Sequence, residues 1–124
     1  MREAIRYLHN AREILRKAPR EGRTYTDVKY VQEACGTAYL ALLKAIDEYL
    51  LNRGLTRKEL PKSFETYQRA IHQHIAVHNG KLFRQFDMLY DELHIAGYYR
   101  GLHRDTVIIR DIFNLAQQFI EKIK

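Results

Sequence analysis

One cysteine, two prolines and no tryptophan occur among the 124 residues of the chain. Because Cys35 has no second cysteine to pair with, the disulfide-stapled class of small secreted domains is excluded and a reducing cytoplasm is the expected location. Apolar runs near the roughly 18 residues that a membrane span needs are also missing. The charged first residues lack the apolar stretch of a secretory signal. The sequence therefore predicts a cytoplasmic protein without a membrane segment.

Several catalytic signatures are missing as well. The sequence has no glycine-rich phosphate loop and no Ser/His/Asp motif, so we expect neither a cofactor nor a hydrolase of that type. Cys35 falls on the apolar stripe of a helical segment, which is typical of a small core residue and not of a nucleophile.

What the sequence does contain is helical periodicity. Prolines and glycines separate segments in which apolar residues recur three and four positions apart, the spacing of one helix face. We find no alternation of period two long enough for a strand. The predicted helices cover about residues 2–18, 26–53, 63–79, 81–100 and 105–123.

Short connections between these helices favour antiparallel neighbours. The sequence therefore predicts one all-α domain over residues 1–124, an antiparallel up-and-down bundle of four to five helices. Gly36 and Gly97 lie inside helices, where glycine costs roughly 1 kcal/mol relative to alanine. We predict that each allows a neighbouring helix to approach closely.

A polar stripe on the fourth helix is one candidate site. Asp87, Asp91, His94 and Tyr98 recur at spacings of four, three and four. An acid followed three residues later by a histidine is a spacing used by metal-binding bundles, although a solvated stripe on an amphipathic helix has the same pattern. We expect no metal. The alternative metal ligands are His74, His78, Asp87 and Asp91.

The end of that helix carries the preferred binding surface. Tyrosines beside arginines can stack on bases and hold phosphates, whereas tyrosines at a bundle end can also simply bury their rings. The candidate binding residues are His94, Tyr98, Tyr99, Arg100 and His103.

The segments "EACGTAYLALLKAIDEYLLNRG", "YDELHIAGYYRG" and "AQQFIEKI" resemble HEPN domains, in particular small bacterial HEPN-like proteins of unknown function. The resemblance implies a helical bundle that forms a homodimer and acts in a toxin–antitoxin or nucleotidyltransferase-type system. Some members are RNases with an arginine, four to six residues and then a histidine. Arg100 and His103 have only two residues between them, which departs from that pattern.

The leading prediction is a non-enzymatic interaction or ligand-binding module, with a protein, RNA or nucleotide as possible partner. One alternative is a metal-independent RNase that uses Arg100 and His103. Another is RNA binding through the basic first helix, since residues 1–23 carry seven arginines and lysines against three carboxylates. The arginines of that helix are Arg2, Arg6, Arg12 and Arg16.

Overall fold

The computed structural model describes residues 2–75 and 80–123, and this part of the chain forms five α-helices and one small hairpin. Two of the helices continue into π-helical turns, in which backbone hydrogen bonds span five residues. The elements in chain order are α1 (Arg2–Arg16), β1 (Arg20–Glu21), β2 (Thr24–Tyr25), α2 (Val28–Asn52), a 3-10 turn (Arg57–Glu59), α3 (Phe64–Ala70) with a π turn (Ile71–Ile75), α4 (Gly80–Leu89) with a π-helix (Tyr90–Tyr99), and α5 (Thr106–Lys122).

Side-chain caps explain where several of these helices begin. The carboxylate of Asp27 accepts a hydrogen bond from the backbone of Lys29 before α2, and the hydroxyl of Ser63 accepts one from the backbone of Thr66 before α3. Such caps satisfy backbone N–H groups that the first helical turn leaves without a partner. The predicted starts of both helices were therefore correct to within two residues.

The helices pack as an antiparallel bundle around α2, which confirms the predicted fold class. The buried face of α2 is rich in alanine and includes Ala34, Ala38, Ala41 and Ala45, so α1 and the π-helix can lie close to its axis. Helical spacing in the sequence also predicts inward positions for Ile5 and Ile108. This prediction was wrong, because both side chains are about half exposed. Among the described residues, none of the helices combines the length and the hydrophobicity that a membrane span requires.

A two-stranded hairpin follows α1, where the sequence indicated no strand. Arg20 pairs with Tyr25 and Glu21 with Thr24, around a turn in which Gly22 adopts a positive φ of 57°. The strands are only two residues long, too short for an alternating pattern to be visible. The hairpin is held by α5 as well as by itself, since Thr24 forms an isolated β-bridge with Asp105.

Asp105 joins the hairpin to the start of α5. Its carboxylate accepts hydrogen bonds from the backbone N–H groups of Val107 and Ile108 at 2.8 and 3.0 Å, and it pairs with the guanidinium of Arg23 at 3.0 Å. Backbone hydrogen bonds on both sides complete the junction, from Tyr25 to Arg104 and from Thr106 to Arg23. One side chain thus caps a helix and anchors the chain that follows α1.

Asp105→Ala is expected to lower the melting temperature by several degrees, because it removes the cap of α5 and the anchor of the hairpin. The hydrogen bond from Ile108, and then that from Arg23, lower the pKa of Asp105 in the folded protein. The carboxylate therefore stabilises the fold above about pH 4, and this contribution is lost as the pH falls through the folded-state pKa. Thermal unfolding followed by circular dichroism should show the gap between the two proteins closing on acidification.

The matched control is Asp105→Asn, which keeps a capping side chain but has no charge to titrate. We expect its loss of stability at neutral pH to be smaller than that of the alanine variant. A gap between wild type and Asp105→Ala that stays constant down to pH 2 would contradict the assigned role.

The second half of the predicted fourth helix is a π-helix and not an α-helix. The backbone N–H of Arg100 donates to the carbonyl of Ile95, and that of Leu102 to the carbonyl of Ala96, at 2.8 and 2.9 Å. A side chain on Gly97 would collide with Cys35, so this wide-turned segment lies directly against α2. Helical periodicity in the sequence does not distinguish the two helix types over ten residues.

Candidate functional site

A groove of about 650 Å³ lies between α1, α2 and the π-helix. Ile14 of α1 and Leu40 and Leu43 of α2 form its aliphatic side, while His94 and Tyr98 of the π-helix form its aromatic side. Leu40 is 46% exposed and Tyr98 is 48% exposed. Large apolar side chains rimming a concave surface are typical of ligand sites. We refer to this feature as the aromatic groove.

A row of stacked rings supports one wall of the aromatic groove. The ring centroids of Phe64 and Tyr90 are 3.7 Å apart, those of Tyr90 and His94 5.3 Å, and those of His94 and Tyr98 5.8 Å. Tyr39 of α2 packs against His94 at 4.9 Å. Contacts of this kind hold the rings in defined positions, so the wall is formed before any ligand arrives.

Two glycines bring the π-helix onto α2. A Cβ atom on Gly36 would lie 2.8 Å from Cδ1 of Tyr98, and one on Gly97 would lie 2.6 Å from Sγ of Cys35. Both distances are shorter than van der Waals contact. The prediction that Gly36 and Gly97 allow close helix approach is therefore confirmed, and Gly36 makes room for the Tyr98 ring at the aromatic groove.

Burial keeps two reactive groups beside the groove protonated. Burial, and then the negative charge of Glu92, raise the pKa of the Cys35 thiol to about 12. Burial, and then the neighbouring Tyr90, also raise the pKa of Tyr39 above its ordinary value. At neutral pH the first is a thiol and the second a phenol. The prediction that Cys35 is a small buried core residue is confirmed.

Polar groups at the aromatic groove are few. The hydroxyl of Thr37 donates to the carbonyl of Glu33 within α2 at 2.9 Å. In residues 2–75 and 80–123 no basic side chain forms an ion pair with the Glu33 carboxylate, which lines the groove and is exposed. The groove therefore offers one negative charge beside apolar and aromatic walls.

The five predicted binding residues separate into two groups. His94 and Tyr98 come together in the aromatic groove, whereas Tyr99, which is 75% exposed, lines an adjacent cleft to which Tyr98 and Glu33 also contribute. Arg100 is exposed and His103 is turned inward. Neither of these last two residues lines the aromatic groove.

His103 contacts Glu92 of the π-helix. Its Nε2 lies 3.0 Å from a carboxylate oxygen and 3.1 Å from the backbone carbonyl oxygen of Glu92. Both neighbouring atoms are acceptors, so Nε2 carries the proton. His103 thereby connects the loop after the π-helix to that helix, and this contact engages one of its two ring nitrogens.

The alternative metal ligands do not form a described cluster. Asp87 accepts a hydrogen bond from the side-chain amide of Gln68 at 2.8 Å, and His74 is exposed. Asp91 is also exposed, and His78 lies outside the described residues. Over the described ranges no three His, Cys, Asp or Glu residues are placed to hold one metal ion.

The residues of α1 and α2 that line the groove were not predicted from the sequence. Ile14, Glu33, Leu40 and Leu43 line it, and none was selected as a site residue. Leu40 could have been found, because it is a large apolar residue that lies off the apolar stripe of α2. Its partners could not, since only packing places them beside it.

Comparison with known proteins places the whole chain in one group. Residues 1–124 match the model of a family described as a domain of unknown function (DUF5618). A solved structure described as a protein of unknown function from Dyadobacter fermentans is similar, with a TM-score of 0.79 and 31% sequence identity over 98% of this chain and 89% of that chain. No curated protein matches the chain. The HEPN-like affiliation and the homodimer stay predictions.

Proposed function

The chain belongs to the DUF5618 family of domains of unknown function, and from this premise we propose that it is a non-enzymatic module that binds a small molecule in the aromatic groove. The ligand class we propose is a flat or apolar body that carries an ammonium or other positively charged group. The proposal rests on the aromatic groove, in which the aromatic side chains of His94 and Tyr98 and the exposed carboxylate of Glu33 line one cavity.

The size and lining of the groove support a small-molecule ligand. Its volume of about 650 Å³ falls within the roughly 300–1,000 Å³ of typical ligand pockets. Such pockets combine apolar walls with a few polar groups that orient the ligand. Leu40 and Tyr98 provide exposed apolar surface, and Glu33 provides the polar group.

The charge of the groove supports a cationic ligand. Aromatic faces attract cations, and the half-exposed ring of Tyr98 lines the same groove as the carboxylate of Glu33. An anionic ligand would meet this carboxylate at close range and would be disfavoured. The proposed ligand therefore combines an aromatic or aliphatic body with a positive charge.

The hydroxyl groups and the thiol at or beside the groove are not activated as nucleophiles, which supports binding without catalysis. A nucleophilic hydroxyl needs a base within hydrogen-bonding distance, but Thr37 donates to a backbone carbonyl. The raised pKa of Tyr39 keeps its phenol protonated at neutral pH. The Cys35 thiol is buried behind Gly97.

Tryptamine is a suitable probe, because it is an aromatic amine and the protein has no tryptophan. Its indole fluorescence can therefore be followed against a background of tyrosine alone. We expect saturable binding of tryptamine and weaker binding of indole-3-propionate, which carries the same ring with a negative charge. Tyr98→Ala should weaken tryptamine binding roughly fivefold or more, since it removes an aromatic wall.

Two further variants make this test specific. Tyr99→Ala removes a neighbouring tyrosine that does not line the groove and should leave tryptamine binding unchanged. Glu33→Gln should abolish the preference for the amine over the carboxylate. The proposal fails if neither probe binds at millimolar concentration, or if Tyr99→Ala weakens binding as much as Tyr98→Ala.

A further inference from the structure

A second cleft, separate from the aromatic groove, gathers arginines from three elements. It has a volume of about 350 Å³ and lies between α1, the hairpin and α5. Arg12 and Arg16 of α1, Arg20 of β1 and Arg110 of α5 line it, and Leu15, Tyr25, Val107 and Phe113 are among its apolar lining residues. We refer to it as the arginine cleft.

The positive charges of the arginine cleft exceed the negative charges next to them. Arg16 pairs with Glu13 at 2.9 Å and Arg110 pairs with Asp111 at 3.1 Å. In the described part of the chain, Arg20 has no carboxylate within ion-pair distance. The existing pairs are largely exposed, and exposed pairs contribute little free energy, so these arginines remain available to a ligand.

Arg12 is held in place without being neutralised. Its guanidinium donates to the side-chain amide oxygens of Gln117 at 2.7 Å and Asn114 at 3.1 Å, both on α5. These acceptors carry no net charge, so the full positive charge of Arg12 persists. A guanidinium fixed by two hydrogen bonds loses little conformational entropy when a ligand binds.

We propose that the arginine cleft binds a compact anion that carries two or more linked phosphoryl groups. Guanidinium groups donate paired N–H bonds that match the oxygens of a phosphoryl group. Among the described residues neither Arg12 nor Arg20 has a carboxylate partner, so their two charges act together with those of the weakly paired Arg16 and Arg110. A single phosphoryl group would occupy only part of the lining. The linked phosphoryl groups can belong to an inorganic polyphosphate or to a nucleoside polyphosphate.

Apolar residues beneath the arginines strengthen this binding. Tyr25 is buried, and burial raises its pKa while the charge of Arg20 offsets part of that rise. The exposed side chain of Arg20 therefore lies beside a buried ring. Electrostatic attraction is stronger there than at a fully solvated position, which favours a defined site over diffuse attraction to a basic surface.

The direct test is isothermal titration calorimetry with sodium tripolyphosphate at constant ionic strength. Wild-type protein should bind it with a stoichiometry of one, and Arg20→Gln and Arg110→Gln should each weaken binding about tenfold, as expected for loss of one charge-assisted contact. Both side chains are exposed, so these variants should keep the fold and melting temperature of the wild type.

Arg57→Gln is the matched control, because it removes one positive charge from the exposed 3-10 turn between α2 and α3. It should bind tripolyphosphate as the wild type does. Equal weakening by Arg57→Gln and Arg20→Gln would overturn the proposal, since the attraction would then reflect net charge alone. Absence of binding to wild-type protein at millimolar concentration would also overturn it.

Two further ligands distinguish the sources of the phosphoryl groups. If ATP binds as tightly as tripolyphosphate or more tightly, with the same loss in Arg20→Gln, the proposal stands and the comparison shows whether the nucleoside contributes. A single-stranded oligouridylate tests the alternative macromolecule. Binding of oligouridylate but not of tripolyphosphate, with loss in Arg20→Gln, would replace the proposed small anion by RNA.

Discussion

Gly97→Ala is expected to lower the free energy of unfolding by roughly 2–3 kcal/mol, which corresponds to a fall of about 10 °C in melting temperature for a domain of this size. The added Cβ would lie 2.6 Å from Sγ and 2.7 Å from Cβ of Cys35, and 2.9 Å from the carbonyl oxygen of Glu92. Cys35 is buried in α2 and the carbonyl belongs to the backbone. Cys35 can move away only if α2 and the π-helix separate, and the carbonyl of Glu92 can move only if the π-helix that also holds Gly97 is distorted.

Gly36→Ala is the matched control for Gly97→Ala. Its new Cβ would meet the Tyr98 ring at 2.8 Å, but Tyr98 is half exposed, so its ring can shift with less loss of packing than the buried Cys35. We therefore expect a much smaller loss of stability, together with a change in the shape of the aromatic groove. Urea unfolding of both variants measures the difference. Alanine is itself favoured over glycine inside a helix, so equal destabilisation by the two substitutions would contradict the specific cost assigned to the contact with Cys35.

Phe86→Ala is expected to have the largest effect on stability, a loss of about 3–5 kcal/mol. Phe86 is completely buried, and its ring centroid lies 5.8 Å from that of Phe64, 6.1 Å from that of Phe119 and 6.4 Å from that of Tyr39. These rings come from three other helices, so a cavity at this position cannot be filled by a shift of one side chain. Since domains are stable by only about 5–15 kcal/mol, much of the stability would be lost.

Phe83→Ala provides the comparison for Phe86→Ala. Phe83 lies one helical turn earlier on α4, is half-buried and has an edge-to-face contact with His72. We expect its loss to be clearly smaller in the same urea titration. A result in which the two variants unfold at the same urea concentration would contradict the central position assigned to Phe86.

The Phe86 side chain connects the core to the aromatic groove. Phe86 contacts Phe64 and Tyr39, and these two rings contact Tyr90 and His94 in the row of rings that supports the groove wall. Loss of the Phe86 ring therefore removes support from the stacked row that ends at Tyr98. The aromatic groove is an extension of the core, which explains why its wall is ordered although Tyr98 is half exposed.

Much of the local structure follows from residues close together in sequence. The starts of α2, α3 and α5 depend on Asp27, Ser63 and Asp105, which cap backbone groups two or three residues away. Apolar residues that recur three and four positions apart identified the five helices, and the same pattern placed Cys35 in the core. These features need no tertiary information, because capping and amphipathicity act within one or two turns.

Other features depended on contacts between distant parts of the chain. The change from α- to π-helix at Tyr90, the two-residue strands, and the separation of His94 and Tyr98 from Arg100 and His103 have no local signal. Each depends on a partner far along the chain, such as Asp105 beside Thr24 or Gly36 beneath Tyr98.

The two candidate sites also depend partly on local sequence and partly on contacts between distant residues. By itself the sequence determined that the chain forms a basic, all-helical bundle with a buried cysteine and with glycines at helix contacts. Only the tertiary structure decided that Leu40 and Tyr98 line one groove and that Arg20 and Arg110 line a second cleft. The physical reason is that local propensity sets how each helix forms, whereas packing of their buried faces sets which exposed side chains become neighbours.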